Sequence, residues 1–186
     1  FSTSTQKRPL VTFWICNSRT DDLVKRAVDS ALAVDISKEV IIVDNNLNLI
    51  PNKASVECNK QNDCVRTFVE YRLGAHFAYE RALNEAKGHF LIQLDADDVL
   101  LKKETERLIN EALKSPQGIV SGLLFEVDEN LAPLKKTVFI PKGDIRQTHF
   151  QRGMQVRAPR IMRKRSLSRA IERNYYNSAV DFELYT

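Results

Sequence analysis

The stretch Arg72–Leu100, RLGAHFAYERALNEAKGHFLIQLDADDVL, decides the fold. Gly74 opens a segment in which Phe77, Ala78, Arg81, Ala82 and Glu85 recur at helical spacing, and Gly88 reads as the C-terminal stop of that helix. HFLIQLD follows as a short, continuous apolar run ending in an acid, the pattern of a strand covered on both faces of a parallel sheet. The run leads into Asp95, Asp97 and Asp98, which crowd like charge at the end of a buried strand and call for a counter-charge. A hard divalent cation such as Mg2+ or Mn2+ is the natural one, held by one or two carboxylates plus phosphate oxygens. A solvated acidic turn, with Asp98 capping the next helix, is the other reading of the same residues.

Upstream, LVTFWIC (Leu10–Cys16) is β-prone. The following TDDLVKRAVDSALAV places Leu23, Ala27, Val28, Ala31 and Leu32 on one helical face, with Thr20 or Asp21 as its cap. EVIIVDNN is a second buried strand ending in an acid, residues 45–63 show no period and read as a loop with at most a turn of helix, and CVRTFVEYR is a third strand. After the acids, KKETERLINEALKSP reads as an amphipathic helix and GIVSGLLFEV as one strand. Four strand–helix alternations predict an α/β, three-layer sandwich with a mostly parallel central sheet. In such sheets ligands bind beyond the carboxyl ends of the strands, where CNSR, VDNN, YRLG and DADD would converge. Beyond Asp128 the alternation stops: LAPLKKTVFIPKG reads as a turn and an outer strand, APRIMRKRSL as a strand with a basic edge, and SLSRAIERNYY as a short helix.

The bulk properties bound the function class. A chain of 186 residues, 43% hydrophobic and 28% charged, is a single folded domain rather than a disordered segment. It opens on Phe1, as expected of a fragment or processed chain, and has neither a signal-peptide core nor a run of about 18 apolar residues. The three cysteines have no metal-ligand spacing and read as free thiols of a reducing, cytoplasmic compartment. His76, His89 and His149 are scattered, and Trp14 reads as core. The net charge of +4 is lopsided, since residues 151–186 carry eight Arg and Lys against three acids. The tract 152–173 suits a solvated face, contacts to acceptor or diphosphate, or peripheral contact with an anionic membrane; it lacks the aromatic interleaving of a single-strand platform, and no nucleic-acid partner is expected.

VTFWICNSR, EVIIVDNN, the whole of RLGAHFAYERALNEAKGHFLIQLDADDVL and the late NSAVDFEL resemble, in that order, the family 2 glycosyltransferases with the Rossmann-like GT-A fold. The resemblance implies an inverting, Mn2+- or Mg2+-dependent transfer of sugar from a nucleotide-diphosphate sugar, a UDP-sugar foremost, to an acceptor hydroxyl, as in bacterial-type polysaccharide or glycan synthesis. It assigns residues 1–100 to the nucleotide-sugar half and 101–186 to an acceptor half expected to be truncated at its C-terminus. Asp44 takes the place of the acid that hydrogen-bonds the base, Asn45 stands in an altered DNN where a second acid is usual, and Asn17 lies where the family often has an aromatic. Arg72 and Gly74 fall in the loop that passes the nucleotide. Asp95 matches the acid facing the ribose, Asp97 the metal ligand between the phosphates, and Asp98 a group that orients the sugar. Asp181 matches the base that deprotonates the acceptor, with Val180 in place of the usual preceding acid and Glu183 as second choice. Nucleotidyltransferases of similar architecture open on a Gly-rich loop, and glycine is absent from residues 1–73. A degenerate domain that binds nucleotide sugar or a polyanionic glycan without turnover stays open.

Overall fold

The computed structural model describes residues 8–19, 21–114, 120–122, 125–136 and 160–164. The alternation is present as β1 (Val11–Asn17), α1 (Leu23–Leu32), β2 (Lys38–Asp44), α2 (Lys53–Gln61), β3 (Val65–Val69), α3 (Ala75–Glu85), β4 (Phe90–Asp95) and α4 (Lys102–Lys114). β5 (Val120–Ser121), β6 (Phe125–Val127), β7 (Pro133–Lys136) and β8 (Arg160–Arg163) follow. The central sheet runs β3-β2-β1-β4-β8-β5. Its first four strands are mutually parallel, and β8 is antiparallel to both β4 and β5. β6 and β7 form a separate ribbon whose turn holds Leu131 in the left-handed region, at φ 65°.

Period-two alternation along apolar strands loads both faces of the sheet. Phe13, Ile15, Val40, Ile42, Ile92, Leu94 and Ile161 pack with Val24, Ala27 and Val28 of α1 and Ile109 and Ala112 of α4. On the other face Trp14, Ile41, Val43, Leu91 and Met162 meet Ala78, Ala82 and Leu83 of α3. Trp14 is core, as expected, with its ring edge-on to Tyr79 at 4.9 Å between centroids. No helix among the described residues is long and apolar enough to cross a membrane.

The structure departs from the sequence reading at definite places. Residues 45–63 contain a nine-residue helix, α2, started by Asn52, whose side-chain oxygen accepts from the backbone N–H groups of Ala54 (2.7 Å) and Ser55 (3.3 Å). Its buried face is only Ala54, Ser55 and Cys58, too small and polar to leave a clear apolar period. The N-cap of α1 is Asp22 rather than Asp21, although an Asp21 carboxylate oxygen does accept from Leu23 N at 3.3 Å, and Val24 is buried where the spacing favours Leu23. GIVSGLLFEV is split between β5 in the main sheet and β6 in the ribbon. β8, read as a strand with a basic edge, lies between β4 and β5, and Met162 as well as Ile161 is buried, on opposite faces. Asp98 does not cap α4, which begins four residues later; its backbone N–H closes a turn on Asp95 O at 3.1 Å.

Gly88 is needed for a close approach, not as a helix stop. α3 already ends at Glu85, with Ala86 extended. A Cβ on Gly88 would sit 2.5 Å from the Thr12 backbone nitrogen and 2.7 Å from its hydroxyl. Gly88→Ala forces β1 and the start of β4 apart, and urea unfolding of the variant is expected to show a loss of about 2 kcal/mol, the usual scale for overpacking.

Candidate functional site

The carboxyl ends of β1, β2, β3 and β4 form one edge, and register sets what meets there: Asn17 lies opposite Asp44, and Cys16 opposite Asp95. Asp44 has no exposed surface. Its Oδ1 accepts from Asn17 Nδ2 and from the Ser55 hydroxyl, each at 2.9 Å, and its Oδ2 accepts from Asn52 N at 2.8 Å. Burial pushes this carboxyl up from its ordinary pKa, against the pull of the three donors. The network goes further outward. Asn17 Oδ1 accepts from Arg19 N at 3.1 Å, while Asn52 Nδ2 donates to Arg19 O (3.1 Å) and Asp21 O (3.0 Å). One buried carboxylate thus organises the loop after β1 and the start of α2.

Asn45 does the same for the loop after β3. Its Nδ2 donates to Glu70 O (2.8 Å) and Arg72 O (2.9 Å), and its Oδ1 accepts from Gly74 N at 3.0 Å. Gly74, at φ 131°, makes the turn from that loop into α3, a backbone angle that side chains disfavour. The Arg72 guanidinium is held on Glu70 through Nε (2.9 Å) and a terminal nitrogen (3.0 Å), reaches Glu80 at 3.1 Å, and lies over the Phe77 ring. The hydrogen bond from Arg72 holds the Glu70 carboxyl below the usual range.

Asp95 and Asp97 are exposed at the end of β4, and Asp98 is half-buried beside them. Burial first, then the charges of Asp95 and Asp97, raise the Asp98 carboxyl to about 6. Gln93 Nε2 lies 3.4 Å from Asp95 Oδ1, and an Arg19 terminal nitrogen lies 3.3 Å from Asp97 Oδ2. Mutually destabilised carboxylates at a strand end fit a hard cation. Among the described residues no three His, Cys, Asp or Glu side chains converge on a metal position. The hard oxygen donors of Asp95, Asp97 and Asp98 are of the type that Mg2+ or Mn2+ takes together with phosphate oxygens. Asp181, Glu183, Thr20, Leu167, His149 and most of the tract 152–173 lie outside the described residues.

The sequence profile of glycosyl transferase family 2 matches residues 14–172. The chain belongs to glycosyl transferase family 2. Its fold is GT-A, and solved structures agree. S. aureus TarS 1–349 is similar at 16% identity over 94% of this chain and 55% of that one, with a TM-score of 0.60. A second S. aureus TarS structure gives 15% identity, 94% and 33% coverage and a TM-score of 0.59. The mannosyltransferase PcManGT from Pyrobaculum calidifontis, in complex with GDP-Man and Mn2+, gives 25% identity over 62% of this chain and 36% of that one, with a TM-score of 0.53. The chain spans 55% or less of each of these relatives. No curated protein matches it.

Sequence reading missed Asn52, Ser55 and Glu70 as members of this edge, and it placed Arg19 there, within CNSR, without giving it a role. For Asn52 a signal was present, since an Asn that follows Pro51 and precedes an Ala-, Ser- and Val-bearing stretch is a helix-start pattern.

Two outcomes are expected of these residues. Asp44→Ala strands three buried donors, so urea unfolding should show a loss of about 3 kcal/mol or more. The depressed Glu70 carboxyl contributes stability that is present above its ordinary pKa and is lost as pH falls through the lower folded one. Glu70→Gln should therefore lose less stability than the wild type between about pH 5 and pH 3, as thermal melts across that window would read, with a difference of no more than about 1 kcal/mol because Arg72 is largely exposed.

Proposed function

We propose that the chain is the catalytic domain of an inverting glycosyltransferase that moves a sugar from a nucleotide-diphosphate sugar to an acceptor hydroxyl. The observation that carries this reading is the Asp95-Ala96-Asp97-Asp98 cluster at the end of β4, beside the Asn17–Asp44 network on the same edge. Membership of glycosyl transferase family 2 supports it. So does the PcManGT complex, which shows a related protein with a nucleotide sugar and Mn2+.

In this reading residues 1–100 hold the donor and residues 101–186 face the acceptor. Asp44 and Asn45 act by positioning. Their side chains are taken up by protein partners, so the base lies against the segments they fix, the start of α2 at Asn52 and Ser55 and the loop from Glu70 to Gly74. Asn17 ties those segments to β1, and Arg72 lines the nucleotide side of the edge. Asp95 faces the ribose, Asp97 is the metal ligand, and Asp98 orients the sugar. Mn2+ or Mg2+, when bound, supplies a Lewis acid against the charge that develops on the departing β-phosphate. Asp181 takes the acceptor proton as the hydroxyl attacks the anomeric carbon from the face opposite the leaving group. The carbon–oxygen bond to the acceptor forms as the bond to the diphosphate breaks, and the configuration inverts. The acceptor is a glycan or another hydroxyl compound, and the basic composition of the tract 152–173 suits contacts to it or peripheral contact with an anionic membrane in a cytoplasmic setting.

The donor is a UDP-sugar in this reading, with a GDP-sugar as the alternative that PcManGT brings forward. Calorimetric titration with UDP and with GDP, each with and without Mn2+, tests it. Binding of one nucleotide that requires the metal and weakens at least tenfold in Asp97→Ala is the expected outcome, followed by transfer from the matching nucleotide sugar. Transfer that is abolished by Asp181→Asn while nucleotide binding persists separates the enzyme from a domain that binds without turnover. Absence of metal-dependent binding to either nucleotide would overturn the reading.

A further inference from the structure

Arg19 stands between two acids in a way that the donor reading alone does not require. Its backbone is fastened on both sides, the N–H to Asn17 Oδ1 and the carbonyl to Asn52 Nδ2, each at 3.1 Å. Both anchors are themselves held by Asp44. The guanidinium, by contrast, lies in the open. Nε and one terminal nitrogen both donate to Asp21 Oδ2, at 2.8 and 2.6 Å, and the other terminal nitrogen reaches Asp97 Oδ2 at 3.3 Å. The grip on Asp21 is doubled and short, whereas that on Asp97 is single and long. Arg19 and Asp97 side chains are 42% and 52% exposed, so the contact between them is weak and readily exchanged.

Asp97 is also the acid that the proposed function assigns to the metal, and the inference rests on that reading. A guanidinium and a divalent cation cannot both sit at one carboxylate oxygen without strong repulsion. A nucleoside diphosphate meanwhile offers the anionic oxygens that a guanidinium fork fits best. We propose that Arg19 is a positioning residue that occupies the cation place at Asp97 and passes to the donor's diphosphate when a divalent cation takes that place. Asp21 and the fixed backbone keep the guanidinium within reach of both positions. The hand-over makes metal and diphosphate arrive together: Arg19 opposes the metal when it comes alone and favours the nucleotide once the metal is bound.

A purely structural arginine would not produce this reversal of sign. Mn2+ binding to the intact chain is read by electron paramagnetic resonance without nucleotide, and UDP and GDP binding is read by calorimetry at saturating Mn2+. Arg19→Ala is expected to bind free Mn2+ about fivefold more tightly, on the scale of removing a weak exposed pair and one nearby positive charge. The same variant is expected to bind the nucleoside diphosphate about tenfold more weakly, the scale of one charge-assisted contact. Asp21→Asn, which leaves the Arg19 backbone anchors in place and frees its guanidinium for Asp97, should weaken binding of free Mn2+. Changes of the same sign in both measurements for Arg19→Ala, or no change in either, would overturn the hand-over while leaving the donor reading intact. Failure of the wild type to bind either Mn2+ or nucleotide would overturn both.

Discussion

The edge depends on one buried carboxylate. Placing Asp44 out of water costs several kcal/mol unless its oxygens are satisfied, and they are satisfied by donors from separate elements: Asn17 from β1, and Asn52 N and Ser55 from the start of α2. The cost fixes the geometry. Any drift of α2 or of the loop after β1 would leave the charge unpaired, so these parts move as one unit. Through Asn17 and Asn52 that rigidity reaches Arg19 and Asp21, two steps from the carboxylate itself.

β2 carries a second buried acid at its opposite end, and the two are treated differently. Glu39 accepts from the Thr12 hydroxyl (2.6 Å), from Lys87 N and from Arg66 (2.8 Å), and Arg66 also reaches Glu85. Burial opposes its ionisation, but its donors and the Arg66 charge win, and the Glu39 carboxyl lies below its ordinary range. Asp44 has neutral donors and no cation among its partners, so burial wins and its carboxyl lies above. Glu39 with its guanidinium closes the amino-terminal edge, where Gly88 also passes Thr12. Asp44 leaves the other edge without a spent cation at its centre.

Much of this was legible in the sequence because it rests on local pattern. Apolar runs ending in acids gave β2 and β4, and the spacing around Ala78 and Ala82 gave α3. What stayed hidden rests on partners that a pattern does not name. α2 buries Ala54, Ser55 and Cys58, so its period is faint, and its role lies in the Asn52 cap and the Ser55 hydroxyl. Asn45 stood out only as part of an altered DNN, and no local pattern names the three backbone groups of residues 70, 72 and 74 that its amide holds. Gly88 looked like a helix stop because that is the common use of glycine there, whereas the demand comes from Thr12 across the sheet. Arg19 and Asp97 are 78 positions apart, and only the parallel pairing of β1 with β4 brings them together.

The charge balance of the edge then constrains how an anionic ligand can be accepted. Among the described residues its two guanidiniums are both committed to acids, Arg19 to Asp21 and Asp97, Arg72 to Glu70 and Glu80. The Arg72 pair is doubled on a buried acid, so releasing the guanidinium would leave the Glu70 charge with only the Arg72 backbone N–H as its donor. Asp95, Asp97 and Asp98 add further negative charge on the same side, and burial together with the charges of Asp95 and Asp97 lifts the Asp98 carboxyl to about 6. A diphosphate approaching this surface would meet repulsion that Arg19 alone does not offset. In the proposed reading, a divalent cation at the strand-end acids would remove that repulsion and free the Arg19 guanidinium, whose hold on Asp97 is weak. In that reading, a metal requirement at this edge would follow from the balance of charges among the described residues as much as from the spacing of the acids.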